Sequence, residues 1–446
     1  MKRLLLTITT IAAFVFNGGA QTVTLSECLK IGLENNYSLR ITENNKEIAH
    51  NNATRANAGL LPTVDIVTGY KGDLGSSDAK TRATGSTEID RNTFDQTFNA
   101  GIDVNWTVFD GFNASTTYKL LKVMEQIGET GNKLAIENFI AEFTSEYYNF
   151  IQQRMRLENY RTAVALSKER LRIVEERYNI GSFSRLDYQQ AKVDFNADSA
   201  QFLHQQAIVI ESRIALNEMM AIDQVYTPIT TKETTINIDS SLVFVDLWNN
   251  MLEKNADLLI AGHNSDIAKL DYKKVLSHYY PYLKLNAGYD YSFNHYSAGA
   301  YTHRNNWGGN AGVTIGFNIW DGNRKREKRN AKIEIENAKL QYDQLELALK
   351  ADLGNLWHAY ENNMRLLNLE EHNVVTAQEN YDIAEERFKL GDLSGIEMRE
   401  AQLSLLQAKE RLLSVLYNTK ICEISLLLIS GNISHYLDNS ESAELQ

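Results

Sequence analysis

Glu397 and Glu400 stand three residues apart in the second half of the chain, and Asp187 and Gln190 hold the equivalent places in the first half. Residues three apart on a helix share a face. Two kinds of chemistry suit such a face. An acid in the first helical turn complements the macrodipole and, with a serine three residues ahead, closes a capping box. That accounts for Asp187 behind Ser184 and Glu397 behind Ser394, and it leaves Glu400 over. If several copies of the chain converge here, the same carboxylates form a ring that attracts cations and resists close approach of its own members. At the level of the residues both readings stand.

The segments just before these acids have matching chemistry. In Gly181-Ser182-Phe183-Ser184 the glycine suits the left-handed residue that ends one helix, and Ser184 caps the next. Gly391-Asp392-Leu393-Ser394 repeats the arrangement. Phe183 with Tyr188, and Leu393 with Met398, fit hydrophobic staples across each cap. These are expected to be tight helical hairpins.

Catalytic constellations are missing from the sequence. The nine histidines are scattered, with no His-Glu-x-x-His helix, and no glycine loop or serine elbow suggests a phosphate cradle or a nucleophile. His295 and His303 flank an expected surface loop, where they are read as solvated, so no metal and no cofactor is expected. Cys28 and Cys422 exclude a disulfide scaffold or a cysteine zinc module. In an oxidising compartment they either pair or remain as two buried thiols. A formal charge of −12 argues against nucleic acid as a partner.

The elements that hold these groups follow from a duplication. Asn36, Leu39, Ala49, Pro62, Gly69 and Tyr70 recur at an offset of 219 as Asn255, Leu258, Ala268, Pro281, Gly288 and Tyr289. Phe109-Asp110-Gly111 recurs as Trp320-Asp321-Gly322, and Glu176-Arg177-Tyr178 as Glu386-Arg387-Phe388, at offsets of 211 and 210. The drop of eight residues implies a shorter loop in the second copy. Each copy reads helix, strand, strand, long helix, turn, helix. The expected organisation is a signal peptide over 1–20, repeat one over 21–222, a linking segment over 223–240, repeat two over 241–430, and a polar, loosely ordered tail over 431–446. The leader has a basic start (Lys2, Arg3), an apolar Leu4–Phe16 stretch and small residues before Gln21.

Period-two alternation marks four strands, near 64–71, 98–108, 283–293 and 310–319. Their charges, Asp65, Lys71, Asp103, Lys284 and Asp290, all lie on one face, opposite an apolar face that includes Ile66, Tyr70, Ile102, Trp106, Leu285, Tyr289, Val313 and Ile315. Such faces suit a wall with lipid on one side and water on the other. Four strands cannot close a barrel, and lipid does not tolerate an open edge, so symmetry-related copies are required; three would give twelve strands. With only three prolines in 446 residues, the chain can also run two helices of 66 residues, Asn113–Tyr178 and Asn323–Phe388, each about 100 Å long. One apolar column repeats every seven residues in each: Ile136, Phe143, Phe150, Leu157, Val164, Leu171 and Tyr178, then Leu353, Tyr360, Leu367, Val374, Tyr381 and Phe388. This suits helices packed side by side in a wall. Gly128, Gly131 and Gly354 are expected points for a break or a kink.

The two strand-preceding prolines, the paired Asp-Gly turns and the duplicated Tyr/Phe-x-x-Gly hairpin with its following acid and alanine (Asp187 to Ala191, Glu397 to Ala401) resemble the TolC-like outer membrane efflux family over nearly all of the mature chain. The resemblance implies a homotrimer with a shared twelve-stranded β-barrel in the outer membrane of a Gram-negative bacterium and a long periplasmic α-helical barrel. In fold class this is an α+β membrane protein with internal duplication and four transmembrane strands per chain. It implies a passive exit duct of a tripartite efflux pump or a type I secretion system, no enzyme, working with a periplasmic adaptor protein and an inner-membrane pump and lying against outer membrane lipid. It further implies an entrance ring at Glu397 and Glu400, with Asp187 and Gln190 as the first-copy counterparts. Adaptor docking is expected at the hairpin tips, Gly181, Ser182, Phe183, Ser184, Gly391, Asp392, Leu393 and Ser394. The ring residues here are glutamates where the family has aspartates, Leu393 stands in place of a basic residue, and Gln21 in place of a lipid-bearing cysteine. The rival, a surface-exposed structural or adhesive coiled-coil protein, explains the helices but not the lipid-compatible strand faces.

Overall fold

The computed structural model describes residues 21–80, 82, 84–298 and 301–437. The expected signal over 1–20 and the end of the tail from 438 lie outside the described residues. In chain order the elements are β1 (Gln21–Val23), α1 (Leu25–Asn35), α2 (Tyr37–Asn52), β2 (Thr63–Lys80), β3 (Thr87–Phe109), α3 (Asn113–Asn179), α4 (Arg185–Met219), β4 (Ile229–Thr231), α5 (Phe244–Lys254), α6 (Ala256–Ser277), β5 (Tyr282–His295), β6 (His303–Gly316), α7 (Arg324–Leu390) and α8 (Gly395–Ile429). They form two compact units, each drawing on both halves of the chain. One comprises the described residues of Met1–Ile41, Leu134–Asn255 and Ala348–Gln446; the other comprises Thr42–Lys133 and Ala256–Leu347.

The second of these units holds one antiparallel sheet in the order β2-β3-β5-β6. Its ladder aligns the apolar side chains in rows. Ile66, Ile102 and Tyr289 stand abreast, as do Tyr70, Phe98 and Phe293, and Trp106, Leu285 and Val313. The other face carries Asp65 beside Asp103, and Asn105 beside Asn286. Two strand expectations are corrected. The last strand starts at His303 and ends at Gly316, so Phe317 and Ile319 lie outside it; the apolar alternation runs on past the last ladder partner, Tyr282. The shortening of the second copy lies in the strands and not in the loop: β2 and β3 have 18 and 23 residues, β5 and β6 have 14 each, a difference of 13 that longer connecting segments after β5 and β6 reduce to eight. The extra strand length is polar and Gly-rich, which masked it as loop.

The long helices are each 67 residues and unbroken, so the expected breaks at Gly128, Gly131 and Gly354 do not occur. Gly128 serves packing instead: a Cβ there would stand 3.0 Å from that of Ala49, so its absence lets α2 lie close to α3. Gly111, at φ +71°, is required by its surroundings, since a Cβ would come within 2.3 Å of the Ser277 carbonyl. Asp110 accepts from the Ala114 amide at 2.8 Å and so starts α3.

The first unit is built around an apolar core where α1, α3, α4 and α8 meet, with Leu29, Ile140, Phe143, Tyr147, Phe150, Leu216 and Ile424 buried. Segment 223–240 joins this body: β4 pairs in parallel with β1, and Ile236 is buried in the core. The first residues of the tail pack as well. Ile433 is fully buried, and the Tyr436 hydroxyl donates to Glu423 at 2.6 Å. The polar residues around Ile433 concealed this anchor in the sequence. Both cysteines are free and occupy different clusters, Cys28 within this core and Cys422 against Leu353 and Tyr360, which removes the option of a disulfide.

Candidate functional sites at the helical hairpins

Each long helix ends in a glycine with positive φ, Gly181 at +79° and Gly391 at +93°. The Ser182 amide donates to Arg177 O at 2.8 Å and the Asp392 amide to Arg387 O at 3.0 Å, closing the two helix ends in the same way. The next helix is capped at once. Asp187 Oδ2 accepts from the Ser184 amide at 3.0 Å and its hydroxyl at 2.7 Å, and the Ser184 hydroxyl accepts from the Asp187 amide. Glu397 Oε2 does the same with Ser394, at 3.0 and 2.7 Å. Both hairpins therefore carry full capping boxes, although the spacing alone had marked the second more clearly.

This geometry separates the four expected ring residues. Asp187 and Glu397 are held by their own caps. The amide and hydroxyl of Ser394 donate to the charged carboxylate and draw Glu397 below the usual glutamate range. Gln190 donates to Asp194 at 2.9 Å and is tied along its own helix. Glu400 is exposed, with no hydrogen bond or ion pair among the described residues. Of the carboxylates expected in the ring, it is the one that local structure does not occupy.

One apolar cluster gathers both hairpins. Val174, Ala191, Tyr381, Ala384, Phe388, Met398, Ala401 and Leu405 are buried together, with Phe183, Tyr188 and Leu393 packed against them, so the expected staple residues all belong to it. Tyr178 stacks on Tyr188 at 5.5 Å, and Phe183 on Phe388 at 6.4 Å. Outside the cluster the tips are apolar and uncovered: Ile180, Leu186, Leu390 and Ile396 are 74–80% exposed. These four are two duplicated pairs, which sets them apart from scattered surface aliphatics.

Several residues of the site escaped the sequence reading. Arg177 donates to Phe388 O at 2.9 Å and Lys389 O at 3.0 Å, and its guanidinium lies 5.2 Å from the Phe183 ring and 5.4 Å from the Phe388 ring. One side chain thus caps the end of α7 and clamps the two copies together. Higher up, Arg399 makes a bidentate pair with Asp198 at 2.6 and 2.7 Å, Ser167 donates to the same carboxylate, and Arg170 binds Asp194 at 2.6 Å. This network joins α3, α4 and α8. Arg170 is almost fully buried, and desolvation, opposed by Asp194, lowers its pKa. Nothing in the sequence marked it, because polar residues carry no hydrophobic period. The expected apolar column accordingly fails at the far end of α3, where Tyr178 is exposed while Ser167, Arg170 and Val174 are buried, but it holds to the end of α7, where Tyr381 and Phe388 are buried.

Among the described residues no group of three or more His, Cys, Asp or Glu side chains could hold a metal ion.

A family model described as outer membrane efflux protein matches residues 29–221 and 247–432. The outer membrane protein TolC of Vibrio cholerae is 20% identical over 450 residues, spanning 97% of this chain and 96% of that protein. Two solved structures share the fold. The outer membrane protein VceC of Vibrio cholerae superposes with a TM-score of 0.75 at 16% identity, covering 91% of this chain and 96% of that one. The CmeC outer membrane channel of Campylobacter jejuni gives 0.77 at 16% identity, covering 92% and 85%.

Proposed function

This chain belongs to the outer membrane efflux protein family, and from that premise we propose that it is the passive exit duct of a tripartite efflux pump or a type I secretion system. Its place is the Gram-negative outer membrane, with a periplasmic extension. The observation that carries the duct reading is the sheet. It has four strands, an apolar face, and two edges, β2 and β6, without strand partners among the described residues. Lipid does not tolerate unpaired backbone, so the edges need strands from other copies. A homotrimer supplies twelve, enough for a barrel with an aqueous interior once the polar faces turn inward.

The hairpins form the periplasmic entrance in this reading. Glu400 from three chains, backed by Glu397, Asp187 and Gln190, makes the ring that favours cations. The exposed aliphatic pairs around Gly181–Ser184 and Gly391–Ser394 receive the periplasmic adaptor, and an inner-membrane pump supplies the energy. No chemical step is assigned to the protein. Apolar tips beside a free carboxylate support docking and selection at one place.

The test is conductance of the trimer in planar bilayers. Glu397→Ala with Glu400→Ala should lower the cation-to-anion permeability ratio, and Glu400→Ala alone should account for most of the fall. An unchanged ratio in the double variant rules out the ring.

A further inference from the structure

We propose that His295 and His303 form a two-imidazole site for a divalent transition-metal ion of the copper, nickel and zinc class, at the free end of the β5–β6 hairpin. The sequence places the two residues on either side of an expected surface loop, as solvated side chains. In the structure they are direct partners, the last pair of the β5–β6 ladder. Directly opposed residues in an antiparallel pair present their side chains on one face with Cβ atoms about 5 Å apart. Two imidazoles at that separation can reach one ion at the ordinary metal–nitrogen distance of about 2.0 Å.

The surroundings hold the pair ready. The Tyr296 amide donates to Thr302 O at 2.9 Å, locking the backbone next to both histidines. His303 Nδ1 lies 3.3 Å from the Thr302 hydroxyl, which leaves Nε2 as the unoccupied nitrogen. Its ring also stacks on Phe293, with centroids 6.5 Å apart. A polar group on one ring nitrogen and a fixed ring plane are the features that orient a metal-binding histidine. His295 has no hydrogen-bond partner among the described residues, and both side chains are exposed. The other groups on the same ladder row do not compete. Gln96, opposite His295, accepts from the Tyr70 hydroxyl at 3.0 Å, and the next position is Gly72. The neighbouring Arg304 lies one position on, toward the opposite face, with its guanidinium 5.1 Å from the Tyr301 ring. Two nitrogen ligands with water completing the shell suit ions high in the imidazole affinity order, and do not suit calcium or magnesium, which take oxygen. An ion held there ties β5 to β6 at the end of the ladder.

Cu²⁺ alone is the probe, titrated into the full-length protein in detergent and read by electron paramagnetic resonance and calorimetry. One tight equivalent per chain is expected, with nitrogen hyperfine structure from two imidazoles. His295→Gln or His303→Gln should leave a one-nitrogen spectrum and weaken binding on the order of 100-fold, the advantage of a second ligand already in place. Thr302→Val keeps both imidazoles and should weaken binding by a smaller factor. Amide exchange at Tyr296 should slow when the ion binds. A one-nitrogen spectrum in the unaltered protein, or equal affinity in the unaltered protein and the two glutamine variants, overturns the site. The seven other histidines are counted by the variant that lacks both.

Discussion

Glu397 commits one carboxylate oxygen to the Ser394 amide and hydroxyl, while Glu400, one turn further on, is free of such ties. The spacing of the two acids was plain in the sequence, but their division of labour was not, because a cap depends on backbone direction. The sign of the pH effect follows from the lowered Glu397 pKa. A depressed carboxyl stabilises the folded cap above the ordinary glutamate range, and the contribution is lost as pH falls through the lowered folded value. Protection of the amides in the first turn of α8, relative to their intrinsic exchange rates, should therefore fall in acid, and Glu397→Gln should flatten that dependence. Cys28 gives a second residue-level expectation. Burial, with Glu27 and Glu233 adding, pushes its thiol up to about 12, and thiolate is the reactive form. A maleimide at neutral pH should leave Cys28 unlabelled in the native protein, and two thiols per chain should label after denaturation without reductant. The absence of any labelled thiol would point to a bond between the cysteines.

Helix α8 lies against α3 and α4 through charge as well as apolar contact. Arg399 and Asp198 are both largely buried, and Ser167 and Arg170 complete the contact. Removing one member of a buried pair leaves the other charged and unpaired, at a cost on the order of 3 kcal/mol. Asp198→Ala should loosen α8 and α3 from α4, seen as faster amide exchange around Ser167 and Arg399. Asp198→Ala with Arg399→Leu should recover much of the loss, because no lone charge then remains. The same contact explains where periodicity failed. The apolar column held at Phe143, Phe150, Leu353 and Tyr360, which are buried. Toward the hairpin the buried face moves to Ser167, Arg170 and Val174. That shift is confined to α3: in α7 the column stays buried to the hairpin, at Tyr381 and Phe388, so the drift of about 20° per heptad expected of a straight helix is not followed equally by the two copies.

In the proposed duct, closure of the sheet into a wall belongs to the assembled protein. Ile102 lies midway along the apolar rows of β3, between Trp106 and Phe98. A lysine at a lipid-facing position at mid-depth costs about 2–4 kcal/mol. Ile102→Lys should therefore lower the yield of assembled protein in outer membranes, measured by retention after a carbonate wash, while Asn99→Lys on the opposite face should be retained. Light scattering in detergent should give three chains per particle; a stable monomer would remove the shared-barrel proposal. Duplication, helix length, the alternating strands and the hairpin glycines were all written as local patterns of period, spacing and residue type, which one chain's sequence records directly. The ladder that sets His295 against His303, the clamp from Arg177 to the end of α7, the buried charges on α3, the anchor at Ile433 and the separation of the cysteines came from the folded chain. Each joins residues distant in sequence or polar in character, and such contacts depend on which surfaces meet, a property that no local periodicity encodes.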